Sequence, residues 1–498
     1  MTIPNQTPVV RPPLPEYRPR YDLSGITCSA QQLTGATALV PTWLEDAVFY
    51  QVFPERFCNA DPSNDPPGTL PWGGTPTREN FFGGDLQGIT AHLDHIAAVG
   101  ANTLYLTPVF TAGTNHRYDG EDYFAIDPAL GGDSAFDELV EAVHARGMRL
   151  VLDGVFNHCG WHHPYFEDVV AHGAQSAYVN WFLVEDFPVS TRPSPNYETC
   201  SGCEYLPKWN VHNPQVRQHH LDVVLYWLER GIDGWRLDVP YYVHDGFWRR
   251  MRRTVKERYP EACLIGEEWG RPTRWLHGDM FDGTMNYGVR DLALAFAASR
   301  RADAGQTARQ ILDLQEAIPP HSRSAMMNLL GSHDTARLLQ ECGGSVGAVC
   351  QALALLIAFP GAPMIYYGDE IGLTGENDPG CRACMPWDET RWDRDLLEAT
   401  RSFVAVRQES SSLGRGPIEV VLAVGDVLIL RSRGEGSSTL TLINRGSGAT
   451  CVPAELVCHA GRDLVNLVDG RRAQTVQEDR DGWLSLPGYS VRMIEENR

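Results

Sequence analysis

Eight short apolar runs rich in β-branched residues alternate with stretches of helical periodicity, and this alternation constrains the fold more than any other feature. Helices are predicted between most of the runs, for example over Phe136–Arg146, Gln215–Arg230 and Val346–Ala358. Strands that alternate with helices form parallel βαβ units, so eight of them predict an α/β fold with a (β/α)8 TIM barrel. The predicted strands are Ala47–Phe53, Thr103–Pro108, Arg149–Val155, Gly234–Leu237, Ala262–Gly266, Gly283–Tyr287, Ala325–Leu330 and Met364–Tyr367.

Changes in this pattern divide the chain into four predicted parts. Residues 1–42 are rich in proline and polar residues and are expected to be an extended arm. Residues 43–157 and 211–410 are assigned to the barrel, and residues 158–210, too long for an ordinary βα loop, to an inserted subdomain B after strand three. Residues 411–498 are expected to form a C-terminal all-β sandwich domain. Its predicted strands are Glu419–Val424, Val427–Ser432, Ser438–Asn444 and Ser490–Ile494.

Charge and composition exclude several classes of partner. The formal net charge is −21, which argues against binding to nucleic acid or to an anionic membrane. No apolar run is long enough for a membrane span, and the first residues do not resemble a secretory signal. The 12 cysteines are mostly scattered through apolar runs, as is usual for free thiols in a reducing compartment, so a cytoplasmic location is expected.

Polar and charged residues follow several of the predicted barrel strands at the end where a TIM barrel carries its chemistry. Asp153 ends strand three, Arg236 and Asp238 end strand four, Glu267 follows strand five, and Asp334 follows strand seven. A single aspartate at a strand end is more often a helix cap or a turn residue. Four strands that all end in such residues make this structural interpretation much weaker.

Cleavage of a glycosidic bond needs such a group of carboxylates. One carboxylate attacks or stabilises the anomeric carbon, and a second, kept protonated by its neighbours, gives a proton to the leaving oxygen. Arg236 lies two positions before Asp238 on an extended strand and therefore on the same side. Its positive charge is expected to keep Asp238 ionised at neutral pH.

At these residues the sequence resembles glycoside hydrolase family 13, the α-amylase family. The four motifs that carry the resemblance are Asp153-Gly-Val-Phe-Asn-His158, Gly231-Ile-Asp-Gly-Trp-Arg-Leu-Asp238, Gly266-Glu267-Glu268-Trp269 and Leu329-Leu-Gly-Ser-His333-Asp334. Within the family, the chain is most similar to the cyclomaltodextrinase, neopullulanase and maltogenic amylase group. Three further segments support this: Ala47–Phe57, Leu206–Asn210 and Asn377–Arg382.

The resemblance implies a retaining α-1,4-glucan hydrolase that acts on maltooligosaccharides, cyclodextrins or starch and releases maltose or glucose. Asp238 would be the nucleophile, Glu267 the general acid and base, and Asp334 the group that binds the sugar most strongly in the transition state. Substrate-binding roles are implied for His116, Tyr118, His158, Arg236, His333, Asp378 and Arg382.

Two alternatives remain open at this point. An α-glucanotransferase or a glucosyl isomerase uses the same covalent intermediate on the same barrel and differs only in its acceptor. A non-catalytic sugar-binding barrel is a more remote alternative, because relatives without activity usually lack one of the three carboxylates, and all three are present here.

Two metal sites are considered. The loop after the first strand resembles the calcium loop of the cyclomaltodextrinase group, which implies structural Ca²⁺. The implied ligands are Asn59, Asp61, Asn64, Asp65, the Gly83 carbonyl and Asp85. Two C-x-x-C pairs, Cys200/Cys203 and Cys381/Cys384, could bind Zn²⁺, form disulfides or remain free thiols.

The sequence departs from the group at two places. Relatives usually carry an N-terminal β-domain that helps to form a dimer and covers the active site, whereas only a short arm precedes the barrel here, so the oligomeric state stays undetermined. The group also typically has Ala-Asn-Glu shortly after the nucleophile, where this chain has Pro240-Tyr241-Tyr242. Because these positions line the acceptor side of the cleft, an altered choice of acceptor is expected.

Overall fold

The computed structural model describes residues 12–24, 40–434, 436–456, 461–472 and 482–496. Within these ranges the β-strands are β1 Phe49–Val52, β2 Thr103–Leu106, β3 Phe110–Ala112, β4 Gly120–Ile126, β5 Arg149–Gly154, β6 Gly234–Leu237, β7 Cys263–Gly266, β8 Gly283–Asn286, β9 Met327–Leu329, β10 Ala362–Tyr366, β11 Ile418–Val424, β12 Val427–Arg433, β13 Ser438–Asn444, β14 Thr450–Pro453, β15 Gly461–Val468, β16 Arg471–Arg472, β17 Trp483–Leu486 and β18 Ser490–Glu496. The α-helices are α1 Leu86–Ala91, α2 Leu93–Val99, α3 Gly132–Ala145, α4 Pro164–His172, α5 Pro214–Glu229, α6 Asp245–Arg258, α7 Tyr287–Ala297, α8 Ala304–Ala317, α9 Leu338–Glu341, α10 Val346–Ala358 and α11 Arg394–Glu409.

Eight parallel strands close into a barrel in the order β1-β10-β9-β8-β7-β6-β5-β2, which confirms the predicted TIM barrel. The barrel is filled by fully buried side chains from its strands, including Phe49, Val151, Ile265 and Met327. Because all strands run the same way, their carboxyl ends meet at one rim, and this rim carries the polar residues described below.

The boundaries of the barrel strands differ from the predictions by at most two residues, and those of β6 are as predicted. At β10 the strand begins at Ala362 and contains Pro363 in register with Asn328. Its predicted start at Met364 is therefore too late. The antiparallel hairpin of β3 and β4 was not predicted, because β4 carries polar residues such as Glu121 and Asp122 that weaken a strand pattern.

The long connection between β5 and α5 contains α4 and four isolated β-bridges. Its folded-back geometry brings Lys208 next to His158 and Pro207 next to Thr199. The chain therefore leaves the barrel rim and returns to it, which places residues of this segment beside the carboxyl ends of the strands.

Residues 12–24 contain no helix or strand and lie across α4 and α5. The Leu14 N–H donates to Asp168 at 2.8 Å, the Arg20 N–H donates to Asp222 at 2.7 Å, and the Tyr17 hydroxyl also donates to Asp222. This part of the predicted arm has no regular secondary structure, and these three hydrogen bonds hold it against α4 and α5. The rest of the arm, residues 1–11 and 25–39, lies outside the described residues.

The C-terminal part is antiparallel, as predicted. One sheet has the order β11-β12-β13-β18-β15-β16, and β14 pairs with β17 in a second, two-stranded sheet. Apolar residues of both sheets, among them Ile429, Leu442, Val452 and Leu484, share one buried cluster, which makes this part a sandwich. In the described ranges, we find no helix with the length and apolarity that crossing a membrane requires.

Candidate active site

Arg236 lies at the centre of a group of buried carboxylates at the carboxyl end of the barrel. Its Nη1 donates to both carboxylate oxygens of Asp153, at 2.9 and 3.0 Å, and to Oδ1 of Asp238 at 2.9 Å. Its Nη2 lies 3.1 Å from Oε2 of Glu267, an ion-pair contact without the alignment of a hydrogen bond. Three carboxylates from the ends of the neighbouring strands β5, β6 and β7 therefore share one guanidinium.

This sharing changes the expected electrostatics of Asp238. Burial raises the pKa of Asp238 well above its ordinary value, Arg236 opposes this rise, and the charges of Glu267 and Asp153 add to it. The sequence predicts that Arg236 keeps Asp238 ionised at neutral pH. The direction of the shift in pKa is the opposite, because burial outweighs the attraction of Arg236, whose single positive charge also contacts Asp153 and Glu267.

Glu267 is held by two donors from different elements. The backbone N–H of Val239 donates to Oε2 at 2.8 Å, and the indole N–H of Trp269 donates to Oε1 at 2.8 Å. Val239 has a φ of 35°, an unfavourable value for a β-branched residue, and this backbone turn directs its N–H toward Glu267. Glu268 instead accepts from the Trp275 indole at 2.5 Å and from the Gly270 N–H at 2.6 Å.

Asp334 is the most accessible of the three predicted catalytic carboxylates, with 27% of its side chain exposed. Its Oδ2 lies 3.1 Å from Nε2 of His333, and its Oδ1 accepts from Arg382 at 3.2 Å. Arg382 also pairs with Asp378 at 3.1 Å, and Asp378 pairs with Arg78 at 3.0 Å. Carboxylates and guanidinium groups thus alternate along this part of the cleft.

Tyr118 and His333 stack with their ring centroids 5.6 Å apart and their planes 10° from parallel. Gln51 Nε2 lies 2.8 Å from His333 Nδ1, so Nδ1 is the acceptor and the proton of the neutral ring is on Nε2. Burial lowers the pKa of His333 well below its ordinary value, which keeps the ring neutral. Nε2 then donates to the Tyr118 hydroxyl at 2.6 Å, and this hydroxyl donates to Asp153 at 3.0 Å.

His158, which is buried, and His116, which is half-buried, are also neutral. Burial is the main cause that lowers the pKa of His116 to about 3 and that of His158 to about 4. The Tyr118 N–H donates to Nδ1 of His116 at 3.1 Å, which leaves its proton on Nε2. Among the described residues, Nε2 of His158 has no hydrogen-bond partner, although it is buried. Both rings line the cleft and can donate a hydrogen bond to a hydroxyl group there.

The predicted residues meet in one cleft with a volume of about 640 Å³. Asp238, Glu267 and Asp334 line it together with all the predicted substrate-binding residues except Arg236, which lies behind the carboxylates. Several lining residues were not predicted to bind substrate, although Trp269, Leu206 and Cys203 lie in segments that the sequence singled out. These lining residues are Arg78, Glu79, Thr114, Cys203, Tyr205, Leu206, Val239 and Trp269.

A second cleft of about 660 Å³ contains Tyr241 and Tyr242. Their side chains are 38% and 44% exposed, and their rings meet edge to face with centroids 4.7 Å apart. Tyr241 also lies close to the catalytic group, since burial raises its pKa and the charges of Glu267 and Asp238 add to the rise. The two rings therefore form one side of the second cleft, next to the catalytic carboxylates.

The six predicted calcium ligands lie together around Gly83. Asn59 Nδ2 donates to Asp65 Oδ1 at 2.8 Å, and the Asp61 N–H donates to Asp85 Oδ2 at 2.8 Å. A Cβ atom at Gly83 would lie 2.0 Å from Asp65 Oδ1, so only glycine leaves room for this arrangement.

Two observations at this loop fit a cation. Oδ1 of Asn59 is buried and has no hydrogen-bond partner among the described residues. Burial raises the pKa of Asp65, and the charges of Asp85 and Asp61 add to the rise. The described residues contain no group of three or more His, Cys, Asp or Glu side chains placed to hold a metal ion. Amide and carbonyl oxygens would therefore have to supply part of the coordination.

The four cysteines of the two C-x-x-C pairs are free thiols in this structure. No group of three or more His, Cys, Asp or Glu side chains within the described ranges is placed to hold a metal ion, so zinc at these cysteines stays a prediction. Burial raises the pKa of Cys200, Cys381 and Cys384, each to about 11, which favours the protonated thiol.

Comparison with known proteins gives a consistent result. The sequence profile of the alpha amylase catalytic domain matches residues 51–412. A cyclomaltodextrinase from Geobacillus thermopakistaniensis is 43% identical over 90% of this chain and 76% of its own length. An intracellular maltogenic amylase from Bacillus subtilis is 42% identical over 77% of this chain and 65% of its own length.

Among solved structures, a cyclic alpha-maltosyl-(1→6)-maltose hydrolase from Arthrobacter globiformis superimposes with a TM-score of 0.85. It is 49% identical, and the match covers 92% of this chain and 100% of the hydrolase. That hydrolase has also been solved in complex with cyclic alpha-maltosyl-(1→6)-maltose and with maltose.

Proposed function

Because the chain belongs to the alpha-amylase family, as a glycoside hydrolase of the cyclomaltodextrinase and maltogenic amylase type, we propose that it hydrolyses short α-glucans with Asp238, Glu267 and Asp334 as its working carboxylates. The observation that carries this proposal is the arrangement around Arg236, where carboxylates from neighbouring strand ends open into one cleft. A general acid and a nucleophile can act on the same bond only when they converge in this way.

In the first step, Asp238 attacks the anomeric carbon in its ionised form, which the contact with Arg236 favours, and forms a β-glycosyl ester while the bond to the leaving oxygen breaks. Glu267 gives its proton to that oxygen. In the second step, Glu267 takes a proton from water, and the resulting hydroxide releases the sugar from Asp238 with its α configuration restored. The Val239 N–H and the Trp269 indole hold Glu267 in place for both proton transfers. The carboxyl groups of Asp238 and Glu267 should then be about 5–5.5 Å apart.

The neutral rings around the carboxylates would bind the sugar at the cleavage position. His116 and His158 can each donate from Nε2 without placing a second positive charge beside Arg236, whereas the Nε2 proton of His333 is already donated to the Tyr118 hydroxyl. Tyr118, held parallel to His333, offers an aromatic face for the sugar ring. Asp334 would accept hydrogen bonds from hydroxyl groups, and these bonds strengthen as the ring gains positive charge. Asp378 and Arg382 would hold the next sugar.

We further propose that small cyclic glucans with α-1,6 links are among the substrates, besides maltooligosaccharides and cyclodextrins. The hydrolase from Arthrobacter globiformis supports this, because the match covers its whole length, whereas the match to the cyclomaltodextrinase covers 76% of that protein. A cytoplasmic location is proposed as well, in line with the name of the relative from Bacillus subtilis.

A product profile tests the substrate proposal. Cyclic maltosyl-(1→6)-maltose, β-cyclodextrin, pullulan and maltotriose are supplied side by side to the enzyme, and the products are separated by chromatography. We expect maltose or glucose as end products and the highest kcat/KM on a small cyclic glucan. Products longer than the substrate would instead indicate a transferase, and no turnover of any of the four would contradict the proposed function.

We also propose a structural Ca²⁺ ion in the loop around Gly83. Asn59, Asp61, Asn64, Asp65 and Asp85 would hold it with their side-chain oxygens and Gly83 with its carbonyl. The buried, unpaired Oδ1 of Asn59 and the raised pKa of Asp65 support this assignment. The ion would neutralise neighbouring carboxylates and fix the loop, without a part in the reaction.

A further inference from the structure

Cys200 and Cys203 are not used by the proposed mechanism, yet they lie at the wall of the catalytic cleft. Cys203 is partly exposed and lines this cleft beside Tyr205 and Leu206. Cys200 is 8% exposed, and the charge of Asp238 acts on its thiol. A covalent change at this pair would therefore alter both the shape of the cleft and the surroundings of the nucleophile.

The backbone holds the two cysteines at the ends of a tight turn. The Cys203 N–H donates to the Cys200 carbonyl at 2.9 Å, and Ser201 and Gly202 between them both have positive φ values, 50° and 79°. These features define a β-turn of type I′, whose first and fourth Cα atoms are less than about 7 Å apart. Cysteines with Cα atoms about 4.4–6.8 Å apart can form a disulfide.

The ends of the turn are fixed by further hydrogen bonds. The Cys200 N–H donates to the Leu206 carbonyl at 3.0 Å, and the Leu206 N–H donates to the Cys203 carbonyl at 3.0 Å. The same loop thus connects the two thiols with Leu206, which also lines the cleft. A bond between the sulfurs would draw Cys203 toward Cys200 and move this part of the wall.

We propose that Cys200 and Cys203 form a reversible disulfide with a low-molecular-weight disulfide as the oxidant, and that this modification changes the catalytic cleft. The more exposed Cys203 thiolate attacks one sulfur of the oxidant, which forms a mixed disulfide and releases one thiol. The Cys200 thiol then loses its proton to water as its sulfur attacks the Cys203 sulfur, which forms the intramolecular disulfide and releases the second thiol. The pair loses two electrons, the oxidant gains them, and the two protons end on the released thiols.

The test uses the full-length protein and oxidised glutathione at pH 8.5. After treatment, the peptide that contains residues 200–203 is examined by mass spectrometry, and kcat/KM is measured on β-cyclodextrin before and after treatment. We expect a loss of two hydrogens in that peptide and at least a fivefold fall in kcat/KM, both reversed by dithiothreitol. In the Cys203→Ser variant, treated and untreated samples should have the same kcat/KM.

Cys451→Ser is the matched control, because Cys451 is an exposed thiol in β14, outside the cleft-lining residues. This variant should respond to the oxidant like the unchanged protein. Two free thiols after treatment, a mixed disulfide that does not close, or a disulfide that leaves kcat/KM unchanged would each overturn the proposal. The activity measurement rests on the proposed hydrolase function, whereas the mass of the peptide does not, so the two failures can be told apart.

Discussion

At the scale of single residues, the ionisation of Asp238 decides both activity and stability. The Asp238→Asn variant removes the nucleophile, and we expect kcat to fall by about four orders of magnitude or more, as for other groups that form the covalent intermediate. Near-normal turnover would exclude Asp238 as the nucleophile. Circular dichroism of the variant should match that of the unchanged protein.

The same substitution should stabilise the fold at neutral pH. The pKa of Asp238 is higher in the folded protein than in the unfolded chain. The folded state is therefore stabilised in full at pH values below the unfolded pKa, where Asp238 is protonated. This stabilisation is lost as the pH rises through the folded pKa. An asparagine avoids this loss, so we expect the variant to be more stable than the unchanged protein at pH 7. Thermal unfolding should show a higher midpoint for the variant at pH 7 and a smaller difference near pH 4.

Glu267 and Glu268 are neighbours with different surroundings, which gives a matched pair of substitutions. Glu267 lines the cleft, whereas Glu268 is bound to the Trp275 indole and the Gly270 N–H. We expect Glu267→Gln to lower kcat by about 10²–10⁴-fold, the usual contribution of a general acid. Glu268→Gln should change kcat by less than tenfold, and a larger loss in Glu268→Gln than in Glu267→Gln would reverse the assignment.

The positions of these carboxylates could be predicted from the sequence, because each directly follows an apolar run that ends at the barrel rim. The number of carboxylates that surround Arg236 could not be predicted. That Asp153, Asp238 and Glu267 share one guanidinium depends on which strands are neighbours, and this is decided only when the barrel closes. The donation from Tyr105 to Asp153 at 2.7 Å and the pairing of Arg78 with Asp378 were missed for the same reason.

At the scale of elements, the turn after β6 carries the aromatic pair that lines the second cleft. The Trp248 indole donates to the Pro240 carbonyl at 3.0 Å and holds this turn, from which Tyr241 and Tyr242 project into the second cleft. The sequence predicted a change at this place from the departure Pro240-Tyr241-Tyr242. The edge-to-face contact of the two rings became visible only in the folded turn.

We expect the Tyr241→Ala variant to bind substrates less well on the leaving-group side. The loss of an aromatic contact worth about 1 kcal/mol corresponds to roughly a fivefold rise in KM for β-cyclodextrin. The Tyr241→Phe variant keeps the ring and should stay within twofold of the unchanged enzyme. Equal KM values for all three proteins, measured by steady-state kinetics, would show that the ring makes no contact with the substrate.

Residues 12–24 are held by contacts that composition does not predict. The proline-rich composition predicts an extended arm, and these residues contain no helix or strand. The composition contained no signal for the bonds of Leu14 to Asp168 and of Arg20 to Asp222, since those acceptors lie far along the chain.

At the scale of the whole molecule, the proposed Ca²⁺ ion should contribute to stability without contributing to chemistry. We expect chelation by EDTA to lower the thermal midpoint by several degrees and added Ca²⁺ to restore it, because an ion that binds only the folded state stabilises it by mass action. At temperatures well below unfolding, kcat should stay the same.

Asp65→Asn is the variant for this prediction, because it removes one carboxylate of the loop and keeps its shape. Its thermal midpoint should respond less to Ca²⁺ than that of the unchanged protein. An unchanged protein whose midpoint is insensitive to both EDTA and Ca²⁺ would exclude a structural calcium ion.

The anomer of the first product shows whether Asp238 and Glu267 cleave α-glucans with retention of configuration. Proton NMR spectra recorded within the first minutes of maltotriose or β-cyclodextrin hydrolysis separate the α- and β-anomeric signals before mutarotation mixes them. We expect the α-anomer to appear first and the β-anomer to grow only later by mutarotation. A first product with the β configuration would contradict retention, because inversion requires a single displacement by water and leaves no role for Asp238 as a nucleophile.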